Sequence, residues 1–388
     1  MNRLIAISAL AAGLISPFNP AHADPPKPAV VVVPSESCSR DLAVLPDFLL
    51  TNDTGAADNR RHRGESVIAS ALERATQEAA SVKSSAECQQ VLRRYLAAWR
   101  EGHLYLQSLV QPTTVEPGVG SATQPSGKPK EVQAEVRWLS RKTVLLTFRT
   151  FDPSAASEIR DLLKSHRTRL EQIPHWIIDV RRNNGGSDST YWPIVQAVIG
   201  NPILSIGVEF LSTPANIEAN SRVCEEHAPD EVGCRQFVEA LVQAKRAVSP
   251  GTYVRPPGTS SSVMRWDPDQ PKRARPQRVA VLTDTDCASS CEQFLLAMRQ
   301  GWNVKLMGRR THGALDYSNL RPFRLPSGER VLWYATSRSA RLPHLPVDAT
   351  GVLPDVLLLP PANEAERAKE VDFVKGFLEG RAAGSPGG

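Results

Sequence analysis

Beyond its first two dozen positions the sequence has no run of about 18 consecutive apolar residues, so no conventional membrane-crossing helix is expected there. It has no Cys-x-x-Cys pair, and the histidines near cysteines, such as His227 after Cys224, lack a zinc-binding spacing. No metal centre is therefore expected. No internal repeat is visible, which excludes a repeat array. An excess of one charge is also missing. Against 46 Lys and Arg stand 41 Asp and Glu, a net charge of +5, too mild to argue for nucleic acid as a partner. No G-x-G-x-x-G occurs, and the Gly-Gly strand end at 185–186 lacks a phosphate-loop Lys, which disfavours a nucleotide site.

What is present is a globular composition. The 388 residues are 41% hydrophobic and 22% charged, enough for roughly two or three domains and a sizeable core. The first residues carry an export pattern: Asn2-Arg3, an apolar stretch from Leu4 to Phe18, and Ala21-His22-Ala23 as an A-x-A cleavage site. Cleavage would leave Asp24 first, and no Cys follows the site to take a lipid. The mature chain is thus expected to be soluble, periplasmic or secreted, with no stable membrane anchor. All six cysteines (Cys38, Cys88, Cys224, Cys234, Cys287, Cys291) lie beyond this segment, and an even number in an oxidising compartment should pair. The connectivity is open; proximity in sequence favours 38–88, 224–234 and 287–291.

Residues 24–34 are Pro-rich and read as an extended linker. From Val67 to Trp99 apolar residues recur at helical spacing, and residues 112–130 form a Pro/Gly/Ser/Thr loop. Strands and helices then alternate. Strands are expected at 143–148, 175–180, 202–206, 278–282, 304–307, 323–325 and 331–334, and helices at 157–170, 191–199, 233–246, 290–300 and 362–378. That order argues an α/β fold with a largely parallel sheet. The expected division is a signal peptide at 1–23, a helical N-terminal domain with linker at 24–130, an α/β core at 131–378 and a disordered tail at 379–388.

In such folds ligands gather at the carboxyl ends of strands, and two of these carry unusual residues. Asp179-Val180-Arg181-Arg182-Asn183-Asn184-Gly185-Gly186 ends one buried strand, and its adjacent glycines let the backbone approach a ligand and offer N–H groups. Asp284-Thr285-Asp286-Cys287-Ala288-Ser289-Ser290-Cys291-Glu292 ends another, just before an apolar helix. A serine there lies at a helix N-terminus, where it either caps the helix or feels donors suited to an oxyanion.

Together the two segments resemble family 41 of the serine peptidases, the C-terminal-processing (tail-specific) and tricorn-core-like enzymes. The family's D-L-R-x-N-x-G-G pattern is similar to 179–186, and its S-A-x-E nucleophile segment to Ser289–Glu292. Its G-x-x-T-x-G block is similar to Gly308–Gly313, and its late G-V-x-P-D to Gly351–Asp355. The order is right over about residues 143–360. The resemblance implies a ClpP/crotonase-like α/β core with a small helical N-terminal domain, and a peptide or protein as substrate without any cofactor. Residues 104–142 are too few for the usual PDZ domain, which is absent or reduced.

The family's lysine base would follow Gly313, but Ala314 stands there, which points to the branch lacking it. Tricorn-like members place a histidine base in a D-G-H-type motif, similar to Glu101-Gly102-His103. A serine hydroxyl needs such a base at neutral pH. The resemblance therefore implies Ser289 as nucleophile and His103 as base, with His312 as a rival base or site-lining residue. Asp348, three before Gly351, stands as the third member. Glu292 reads as a structural acid at the helix start. Oxyanion donors would be the amides of Gly185 or Gly186 and of Ser290, with Gly313 lining the site. A Cys287–Cys291 disulfide would bracket the nucleophile. The lost lysine motivates an alternative, a non-catalytic peptide- or lipid-binding protein on the same fold. Substrate preference and oligomeric state are not legible.

Overall fold

The computed structural model describes residues 33–110, 132–227, 232–265 and 275–380. The expected signal peptide, most of the Pro-rich 24–34 segment, all of the 112–130 loop and the tail from 381 lie outside these residues.

Four helices come first: α1 (Pro34–Asn52), α2 (Ala56–Arg63), α3 (Glu65–Ala79) and α4 (Ser85–Trp99). The continuous helical pattern read over 67–99 is two helices, because Ser84 caps a new start. Its side chain accepts from Glu87 N–H at 3.1 Å, while Glu87 Oε2 accepts from Lys83 N–H at 2.7 Å, a reciprocal satisfaction of first-turn donors. Helix α1 was hidden by Pro34 and by Pro46 within it. Its stripe of Cys38, Leu42, Leu45 and Leu49 is nevertheless buried, and tertiary burial outweighs the proline penalty.

The strands that follow are β1 (Tyr105–Ser108), β2 (Ala134–Trp138), β3 (Thr143–Phe148), β4 (His175–Asp179), β5 (Ile203–Ser205), β6 (Val208–Leu211), β7 (Tyr253–Val254), β8 (Ser262–Met264), β9 (Arg278–Thr283), β10 (Val304–Gly308), β11 (Tyr317–Arg324), β12 (Arg330–Ser339) and β13 (Val356–Leu357). Between them run α5 (Ala156–Ser165), α6 (Arg167–Leu170), α7 (Asp188–Val198), α8 (Pro214–Ser221), α9 (Val223–His227), α10 (Val232–Arg246) and α11 (Ser290–Met298), and α12 (Glu364–Glu379) closes the series.

Six strands form one sheet in the order β13-β10-β9-β4-β3-β2, parallel except for β2. The two-residue period of its strands sorts side chains between two cores. Val144, Leu146, Ile178 and Val281 face α5, α7 and α11, whereas Leu145, Ile177, Ala280 and Leu282 face Val371, Val374 and Leu378 of α12. A second sheet, ordered β1-β12-β6-β7 with β11 also on β12, is wholly antiparallel; β5 and β8 make a separate pair. The sequence pattern did not show this second sheet. The short strand pairs read at 323–325 and 331–334 are the ends of the longer β11 and β12. Leu325, Leu332 and Tyr334 share one core with α1, α3 and α4, so the helical region is packed on this sheet, and the described residues from Pro34 onward form one compact unit.

Three disulfides are present, Cys38–Cys88 between α1 and α4, Cys224–Cys234 between α9 and α10, and Cys287–Cys291 at the entry to α11. Among the described residues no helix is long and apolar enough to cross a membrane.

Candidate active site

Strand β9 ends at Thr283, and the chain turns through Cys287–Ser289 into α11. Ser289 has φ 57° and ψ −123°, a conformation that costs a non-glycine residue roughly 1–3 kcal/mol and persists only where the surroundings enforce it. Here they do. Ser289 N–H lies 3.1 Å from both Ala314 O and Glu292 Oε2, and the Cys287–Cys291 disulfide closes the turn covalently. A strained serine between strand and helix is the arrangement that presents a nucleophilic hydroxyl.

Glu292 is fully buried and accepts four hydrogen bonds. Oε1 takes the Thr311 hydroxyl and Gly313 N–H (2.7 Å), and Oε2 takes Ala314 N–H (2.9 Å) and Ser289 N–H. Thr311 Oγ1 in turn accepts from Val352 N–H at 2.7 Å. One carboxylate thus locks the serine turn to the 308–313 block, and through Thr311 to the 351–355 block.

The Gly185-Gly186 turn faces the same serine. A Cβ on Gly185 would lie 2.6 Å from Ala288 O and 2.9 Å from Ser289 Cβ, so only glycine permits this approach. Gly185 N–H is already donated to Asn183 Oδ1 at 2.9 Å. Among the described residues the N–H groups of Gly186 and Ser290 have no such partner, and the Ser290 hydroxyl donates to Gly186 O at 3.0 Å. Of the two glycine amides, Gly186 is therefore the one left to meet a ligand. Asp179 and Arg181 of the same motif point elsewhere, into a buried ion-pair cluster with Glu370 of α12.

His103 reaches this region from the end of the helical segment. Gly102 and His103 both have positive φ, 68° and 47°. The loop lies on Ala314, since a Cβ on Gly102 would come within 2.6 Å of Ala314 Cβ. His103 Nδ1 is 2.6 Å from Tyr317 O. A carbonyl only accepts, so Nδ1 carries the proton and Nε2 keeps its lone pair. Burial pulls the His103 pKa down to about 4, helped by Arg100 and His312 and opposed by the Tyr317 carbonyl. Among the described residues no hydrogen bond joins His103 to Ser289 or to Asp348.

Asp348 stands behind this loop. Its Oδ1 accepts from Leu315 and Asp316 N–H, both at 2.6 Å, and burial raises its pKa to about 7. It holds the residues beside Tyr317. His312 is exposed, with its N–H on Cys287 O at 2.9 Å, and Gly313 O accepts from Ala349 N–H at 3.1 Å. The Tyr317 carbonyl was invisible to sequence reasoning because a backbone oxygen carries no residue-type signal.

Ala314 explains how the site differs from a serine–lysine arrangement. It is buried against the Gly102-His103 loop, so the space a lysine stem would need is filled. Ala314→Lys is expected to lose about 1–3 kcal/mol of stability through overpacking, read as a lower denaturation midpoint, without any gain of serine reactivity.

A mainly apolar groove of about 920 Å³ runs along α11, with Asp188, Gln293, Trp192, Leu296, Leu345 and Leu353 among its walls. Ser289 and His103 do not line it; the α11 residue of its wall nearest in sequence to Ser289 is Gln293. Trp333 stacks on Tyr105.

The sequence profile of Peptidase family S41 matches residues 142–358. No curated protein matches the sequence. Among solved structures, mature CPAF is similar with a TM-score of 0.62 at 13% identity, covering 90% of this chain and 99% of its own. Mature CPAF complexed with lactacystin gives 0.60 at 14% identity, covering 90% and 100%. A protein of Parabacteroides merdae provisionally described as a peptidase gives 0.51 at 15%, covering 88% and 96%. Identities this low speak to the fold alone.

Proposed function

This chain belongs to peptidase family S41, and from that premise we propose that it is an exported serine peptidase working through an acyl-enzyme on Ser289 with His103 as general base. One observation carries the reading. The Tyr317 carbonyl holds His103 Nδ1–H at 2.6 Å, which leaves Nε2 as a proton acceptor on a loop packed against Ala314. Ala314 O is the very atom that takes Ser289 N–H.

The steps follow from these groups. Ser289 Oγ attacks the scissile carbonyl carbon and its proton passes to His103 Nε2. The oxyanion that forms lies against the N–H groups of Gly186 and Ser290, each such donor being worth about 3 kcal/mol in the transition state. Collapse expels the amine, which takes the proton from His103. Water, deprotonated by the same nitrogen, then attacks the acyl carbon, and His103 returns that proton to Ser289 Oγ as the acid leaves. The Tyr317 carbonyl does the orienting work a carboxylate does in other triads, and Asp348 supports it by fixing the amides of Leu315 and Asp316. The groove along α11 supplies apolar surface for substrate side chains. Export is supported by the N-terminal pattern and by three disulfides.

Modification by a fluorophosphonate probe tests this. The native, disulfide-intact protein is expected to be labelled. Because His103 loses its proton only above about 4, labelling should hold its rate as pH falls through 6.5 and drop near the lower value. A native protein that is never labelled points to a binding protein on the same fold.

A further inference from the structure

The geometry points to a positioning role for a buried ion pair of the helical region: Asp53, just after α1, and Arg100, just after α4, hold the His103 loop in its left-handed form and so set where the imidazole stands. This rests on His103 being the base.

Arg100 and Asp53 have side-chain exposures of 3% and 0%. Their contact is bidentate, Nη1 to Oδ1 at 2.6 Å and Nη2 to Oδ2 at 2.7 Å. Removing two charges from water is costly, so a buried pair by itself argues little for stability. What matters is where the remaining hydrogen bonds go. Arg100 Nη2 donates to His103 O at 2.8 Å, and Nε reaches Gly102 O at 3.4 Å. Asp53 accepts from Gly55 N–H at 2.9 Å and from Ala335 N–H of β12 at 3.1 Å. The guanidinium therefore serves the carbonyls of both residues with positive φ, while its carboxylate is anchored to the antiparallel sheet.

The same guanidinium stands 5.2 Å from the Tyr317 ring centroid, and Tyr317 O is the acceptor for His103 Nδ1–H. Arg100 thus touches the segment that carries the imidazole and the residue that orients it. A lysine cannot copy this, since a point ammonium lacks the planar fork that spans a carboxylate and two carbonyls. The arrangement also has an electrostatic side. The charged or titratable groups acting on His103 are Arg100 from the end of α4 and His312 from the loop after β10, both opposing its protonation. Asp348, before β13, lies within the field of Arg100, and Tyr317 on β11 donates its hydroxyl to Asp58 of α2.

Fluorophosphonate modification rates measured from about pH 3.5 to 8 on wild type, Arg100→Met and Arg100→Lys test the inference, with circular dichroism confirming that each variant is folded. Arg100→Met is expected to react at least about tenfold more slowly, with its acid limb moved up by the part of the depression that Arg100 supplies, burial supplying the larger part. Arg100→Lys should also be slow but keep a low acid limb, because the charge remains. A folded Arg100→Met with the wild-type rate and limb overturns the inference. Should that variant not fold, Arg100→Lys decides, and wild-type rates across the pH range overturn it. An unlabelled wild type overturns the serine–histidine reading and this inference with it. A labelled wild type with indifferent Arg100 variants overturns this inference alone.

Discussion

Ser289→Ala is expected to fold normally and to hydrolyse denatured casein at least about 10⁴-fold more slowly than the native protein, and His103→Ala to lose a similar factor. Both numbers follow from one dependence. Without the hydroxyl there is no acyl-enzyme, and without Nε2 the hydroxyl keeps its proton at neutral pH. The two losses should not add, since base and nucleophile serve the same step. The double variant is expected to resemble either single one. Stability should fall by no more than about 1 kcal/mol for Ser289→Ala, the worth of an N-cap, because the Ser289 N–H, Glu292 and the disulfide still hold the turn. Relief of backbone strain is not expected either, as alanine meets the same positive φ. Casein hydrolysis by purified Ser289→Ala at the native rate would remove Ser289 from the mechanism.

The second large effect belongs to a residue that touches no substrate. Glu292→Gln is expected to destabilise the fold by about 3–5 kcal/mol, measured by urea unfolding, and to reduce fluorophosphonate labelling even where the variant is still folded. The carboxylate accepts from the Ser289, Gly313 and Ala314 N–H groups and the Thr311 hydroxyl. An amide keeps one oxygen for these donors and turns its own NH₂ towards the others, so either the Ala314 N–H or the Gly313 N–H and Thr311 hydroxyl lose their acceptor and face a donor instead, while Ser289 N–H keeps Ala314 O. The serine turn and the loop under His103 then come apart at the same point. An unchanged unfolding midpoint with normal labelling would show that Glu292 holds neither.

Much of this was open to reading in the sequence, for definite reasons. The parallel sheet announces itself because β3, β4 and β9 are buried on both faces and so read as short continuous apolar runs. The four motif blocks stand out because each needs unusual residues, such as a glycine where Gly185 meets Ser289 Cβ or an acid at the first turn of α11. The antiparallel sheet is not legible because β1, β6 and β7 are only two to four residues long and fewer than half of their residues are buried. Helix α1 was missed because Pro46 argues against a helix that tertiary burial sustains. Within the site, Ser289 and His103 could be named from motif position, but their supports could not. The Tyr317 carbonyl has no side-chain signature, and Asp53 and Arg100 meet across 47 positions of sequence. Asp348 was named for its charge and spacing; its oxygen lies on two amides beside Tyr317 rather than on the imidazole.

The helical N-terminal region consequently matters for more than solubility or folding. Its last residues pack the Gly102-His103 loop against Ala314, and its buried core includes Leu325, Leu332 and Tyr334. Removing the helices would take away the proposed base and the sheet's cover together.

The most direct test is to locate the fluorophosphonate adduct by tandem mass spectrometry on the native, disulfide-intact protein. The expected result is a single adduct on Ser289, resolved from Ser290 by fragmentation and absent from His103→Ala under the same exposure. An adduct on any other residue, or a native protein that takes none, would contradict the proposal that Ser289 is an activated nucleophile.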